Sequence, residues 1–164
     1  PTEKGTYLDA RGAWDYLVKE KKVPPERIAV FGESLGGAVA ARLAYDVRPG
    51  ALVIESTFTS APDMAGRMFW YLPARYLCRF KYDTLSIIGK VASPVLIAHS
   101  RDDEMIPFEH GKRIYDNAGS PKRFVEMTGG HNSGGLTAYA EGLNALSEFL
   151  DRSLGRDART GDGG

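Results

Sequence analysis

Residues 27–37 read RIAVFGESLGG. A short β-rich run, Arg27 to Phe31, meets the pentapeptide Gly32-Glu33-Ser34-Leu35-Gly36, and Leu35 to Tyr45 continues with small or apolar residues in a helical pattern. A G-x-S-x-G between strand and helix is the context of a nucleophile elbow, in which a serine takes a strained backbone conformation to project its hydroxyl from a tight turn. A side chain at 32 or 36 is expected to collide with neighbouring backbone. The amide of Leu35, at the helix N-terminus, is placed to donate to a developing oxyanion. The bland alternative is a strand-to-helix turn with an incidental serine, and the flanking strand and helix favour the elbow.

Working outward, Tyr7, Ala10, Trp14, Leu17 and Val18 form the stripe of an amphipathic helix ending near Lys19–Lys22, and Pro24-Pro25 stops it. Ala51–Glu55, Pro94–His99 and Lys122–Met127 read as three more strands. Phe108–Asn117 and the series Leu136, Tyr139, Ala140, Leu143, Leu146, Phe149, Leu150 read as helices. Short apolar strands separated by helices predict an α/β fold, a parallel sheet of about four strands flanked by helices. Residues 56–93 form an aromatic-rich connection expected to hold one or two helices near a site. Its richest part, residues 68–82, packs a connecting helix on the sheet or rims an acyl-binding pocket. One domain over residues 1–153 and a disordered tail over 154–164 complete the expectation.

Composition narrows the function classes. The 164 residues carry 21 basic and 21 acidic side chains, so net charge offers no case for nucleic acid or an anionic membrane surface. No apolar run is long enough to span a bilayer. Cys78 is the sole cysteine, which excludes an intrachain disulfide and fits a reducing, cytoplasmic setting.

A serine hydroxyl needs a base, and the chain has three histidines. His99 ends a strand, where a structural, hydrogen-bonded role is expected; His110 opens a helix and is expected to face solvent. His131 lies in Gly129-Gly130-His131-Asn132 after the fourth strand, from where it can reach back across the sheet end. It is the best base. A carboxylate is then needed to orient the imidazole, and Asp102, Asp103 and Glu104 all follow the third strand. Spacing leaves Asp102 and Asp103 both open, and without a second ligand cluster a metal site is disfavoured.

These motifs together resemble the C-terminal part of an α/β-hydrolase, most of all the serine-aminopeptidase-like and depalmitoylase-like branch. Gly32, Ser34, Gly36 and Gly37 match its elbow. Glu55, Ser56, Phe58, Thr59 and Ser60 match its E-S-x-F-T-S segment, and Gly129 to Asn132 its G-G-H-N. His99, Asp103, Ile106 and Pro107 fall on its H-G-x-x-D-x-x-V-P, with Ser100 in place of glycine, which selects Asp103. The resemblance implies a serine hydrolase acting on an ester, thioester or amide of a small-molecule or acylated substrate, with no cofactor and no metal. Ser34 attacks, His131 relays the proton, Asp103 orients the ring and Leu35 N–H holds the oxyanion.

The family has strands before the elbow strand, and only 33 residues precede Ser34 here. The second oxyanion donor comes from that region, and its loss is expected to cost about 3 kcal/mol of transition-state stabilisation. The elbow strand is then expected to be an exposed edge that pairs with an upstream segment or a second copy. A second reading follows: a catalytically incompetent fragment serving as a subunit or binding scaffold. Haloalkane or epoxide chemistry is disfavoured, because a carboxylate would stand where Ser34 does.

Overall fold

A computed structural model describes residues 2–68, 71 and 73–155. The expected tail therefore lies, from residue 156 onward, outside the described residues.

Helix α1 (Glu3–Asp15) starts on Thr2, whose side chain accepts the N–H of Gly5 at 3.0 Å. It runs into a π-helical turn, Tyr16–Glu20, and a 3₁₀ turn at Pro25–Arg27 precedes the first strand. Strand β1 (Ala29–Glu33) leads into α2 (Leu35–Val47) and β2 (Ala51–Glu55). The long connection holds α3 (Ala61–Met68), α4 (Ala74–Leu77) and α5 (Thr84–Ile88). Strand β3 (Val95–Ser100), α6 (Phe108–Asn117), β4 (Lys122–Met127) and α7 (Ala140–Ser153) follow.

The four strands are parallel in the order β1-β2-β3-β4. Each crossover returns the chain to the same end, so every strand points its carboxyl end to one side, the side where open α/β sheets carry their sites. The pleat divides the core. Leu52, Ile54, Val95 and Ile97 pack with Ala40, Ala41 and Ala44 of α2, Ile88 of α5 and Ile114 of α6. Ala51, Val53, Leu96 and Ala98 face the other way, onto Leu136 and onto Phe149 of α7. Both central strands are wholly buried, which is why they read as continuous apolar runs without alternation.

Some details differ from expectation. Arg27 and Ile28 belong to the turn and its cap, because Pro25 promotes a 3₁₀ turn before the strand starts. The closing helix begins at Ala140, since Leu136 packs into the core from the preceding segment. The connection has three described helices where one or two were expected. Glu3 fixes the connection to α1: its carboxylate accepts the N–H groups of Lys81 and Tyr82 at 2.7 and 2.9 Å.

Candidate active site

Ser34 sits between β1 and α2 with φ 52° and ψ −123°, a region costing a non-glycine residue about 1–3 kcal/mol. The surroundings hold it there. Its N–H donates to the carbonyl of Glu55 at 3.0 Å, and its own carbonyl accepts the hydroxyl of Thr57 and the N–H of Gly37. Gly32 is required for close approach, because a Cβ there would lie 2.2 Å from the carbonyl oxygen of Gly36. Gly36 departs from expectation: a Cβ at that position meets nothing within 4 Å, since it faces the open groove beside β1.

The structure brings Ser34, His131 and Asp103 together from three separate loops. The Oγ of Ser34 is 3.1 Å from Nε2 of His131, and Nδ1 of His131 is 2.8 Å from Oδ2 of Asp103. A carboxylate can only accept, so Nδ1 carries the ring proton and Nε2 is left to accept from the serine hydroxyl. Asp103 and His131 are both buried. The other Asp103 oxygen accepts the N–H groups of Met105 and Ile106 at 2.9 and 2.7 Å, so the carboxylate has no freedom to rotate.

Neighbouring acids serve the same loop. Asp102 accepts the N–H of Gly129 at 3.2 Å and so stays away from the imidazole. Glu104 accepts the backbone N–H of His131 at 3.0 Å, a bond that holds its pKa below the ordinary carboxylate value. The Asp102–Glu104 cluster is thus taken up by backbone and ring N–H groups. Its loop-holding role left no mark in the sequence beyond the run of acids.

His99 is fully buried and places Nε2 2.8 Å from the carbonyl of Ile106, the hydrogen-bonded role expected of it. Burial keeps its pKa low. His110 does not face solvent. It lies on the buried stripe of α6 with Gly111 and Ile114, and its Nδ1 accepts the N–H of Thr59 at 3.2 Å. Burial depresses its pKa too. Helical spacing with Ile114 was the available signal for its burial; its bond to Thr59 needs the fold.

Leu35 supplies the first amide of α2, outside the intrahelical ladder and at the positive end of the helix dipole. An apolar groove of about 530 Å³ runs beside it, lined by Trp14, Leu17, Phe31, Leu35, Gly36 and Val39. A second cleft, about 570 Å³, is lined by Met64 and Arg67 of α3, by Asp103 and Glu104, and by Phe108 and Glu109 of α6.

No family model matches the chain. Among curated proteins, an uncharacterized protein of Mycobacterium tuberculosis is 39% identical over 151 residues, covering 92% of this chain and 54% of that protein. Human alpha/beta hydrolase domain-containing protein 17B is 30% identical over 155 residues, covering 94% of this chain and 52% of its own length. The chain thus spans about half the length of the curated relatives it matches. Among solved structures, an alpha-beta hydrolase from Vibrio vulnificus superposes with a TM-score of 0.71 at 20% identity, over 94% of this chain and 57% of that one. With its parallel sheet and flanking helices the chain has the α/β-hydrolase fold, and over nearly its whole length it is similar in sequence to an alpha/beta hydrolase domain-containing protein.

Proposed function

We propose that the chain carries the catalytic residues of a serine hydrolase that cleaves an ester, thioester or amide through an acyl-enzyme. The observation that carries this reading is the hydrogen-bonded series Ser34 Oγ, His131 Nε2, His131 Nδ1, Asp103 Oδ2, in which every donor faces an acceptor. Ser34 Oγ bonds to the substrate carbonyl carbon while its proton passes to Nε2 of His131. The imidazolium returns that proton to the leaving group as the acyl bond breaks. Water then repeats the sequence, giving up a proton to His131 and releasing the acid and free Ser34. Asp103 orients the ring through Nδ1 and stabilises the imidazolium. Leu35 N–H donates to the oxyanion, which forms within reach of the N-terminus of α2.

No cofactor enters this scheme. Among the described residues no helix is long and apolar enough to cross a membrane. The similarity to a human alpha/beta hydrolase domain-containing protein supports the reading.

The second reading, a non-catalytic subunit, draws on the open groove along β1 and Leu35. A pre-steady-state assay with p-nitrophenyl esters separates the two. A burst of p-nitrophenol stoichiometric with protein, absent from Ser34→Ala, is the expected result. A folded chain that gives no burst supports the scaffold.

A further inference from the structure

Glu55 is a buried acid with no part in the chemistry above; it ends β2 and is 5% exposed. Its backbone carbonyl accepts the N–H of Ser34 at 3.0 Å. Its carboxylate accepts the N–H of Leu136 at 3.3 Å, at the far end of the segment that carries His131. The segment passes directly over the acid: Gly135 adopts φ 137°, and a Cβ there would lie 2.7 Å from Oε1 of Glu55.

Between these anchors the segment is a closed turn. The carbonyl of Gly130 accepts the N–H groups of Ser133 and Gly134 at 3.1 and 2.9 Å, and Ser133 Oγ accepts the N–H of Gly130. Glu104 holds one end at His131 and Glu55 holds the other at Leu136. Packing alone would be served by an apolar side chain, because burying a carboxyl with few partners is costly. Burial raises the pKa of Glu55, with Glu33, its neighbour across the β1–β2 register, adding to the rise.

We propose that Glu55 is a positioning residue: through its carbonyl and its carboxylate it ties the serine elbow and the His131 segment to one point of β2, and so sets the Ser34–His131 separation. This rests on the reading of Ser34 and His131 as nucleophile and base. A misplacement of about 1 Å between reacting groups costs on the order of a hundredfold in rate.

The test compares wild type with Glu55→Met, which keeps volume without the acceptor, Glu55→Asp, which shortens the reach, and Glu55→Gln, which keeps an acceptor at full reach. Two quantities are measured, fluorophosphonate labelling kinetics and amide hydrogen exchange. Met and Asp variants are expected to lose roughly 10- to 100-fold in maximal labelling rate, with the half-saturating probe concentration unchanged. Exchange at 131–136 is expected to quicken in both while β3 stays protected. Gln is expected to restore both readouts to near wild type. Wild-type rates in the Asp variant, or equal losses in Gln and Asp, overturn the proposal. A folded wild type that never labels overturns the reading of Ser34 instead, and the exchange comparison still decides whether Glu55 holds the segment.

Discussion

At the residue scale the elbow makes opposite demands on its two glycines. Gly32→Ala drives a methyl into the carbonyl of Gly36 and is expected to destabilise by about 1–3 kcal/mol or more. Gly36→Ala meets open space inside a helix and is expected to stabilise by up to about 1 kcal/mol. Urea unfolding of the two variants checks both signs. The sequence motif treats these glycines alike, because it records an absent side chain and not what the side chain would touch. The acids divide in the same way. Asp103→Asn should lower the labelling rate by about 10⁴-fold by spoiling the imidazole tautomer. Asp102→Asn, which loses only a backbone contact, is expected to cost less than tenfold, and parallel labelling time courses separate them. Spacing left these two aspartates equal; a family pattern selected Asp103, whose Oδ2 lies 2.8 Å from Nδ1 of His131.

At the scale of elements, α6 and β3 each bury a histidine against the loops that frame the site. Burial lowers both pKa values from the ordinary 6.5, so the folded state binds fewer protons than the unfolded state just below that pH. The sign follows: this contribution to stability is full above pH 6.5 and is lost as pH falls toward the folded pKa. Each histidine is expected to add up to about 1.4 kcal/mol per pH unit to the decline below pH 6.5. Denaturant melts of wild type and His110→Gln at pH 7 and pH 5 test it, with a shallower decline expected in the variant. An unchanged decline would contradict a neutral, buried His110. The strands and the helices α2 and α6 were legible in the sequence, because buried parallel strands are apolar throughout and helices show a stripe. The hydrogen bond of His110 was not, since its partner, Thr59, lies 51 residues away.

Over the whole molecule, the sheet formed by the described residues ends in β1 on one side and β4 on the other. Among the described residues, strand β1 pairs only with β2, and Phe31 on it is 50% exposed. An edge of this kind recruits further strands, so the isolated chain is expected to self-associate. Phe31→Lys should shift it toward monomer in light-scattering chromatography, and a monomeric wild type at high concentration would contradict this. An exposed β1 was an expectation from the resemblance to a family with strands before the elbow strand, and the groove beside it was not legible, because α1 shapes one of its walls. Catalysis by this chain requires that His131 activate Ser34. Incubation with a fluorophosphonate, followed by intact-mass and peptide analysis, addresses that directly. A single adduct on Ser34, lost in Ser34→Ala and His131→Ala, is the predicted result; a folded protein that stays unmodified, or an adduct on another residue, would contradict it.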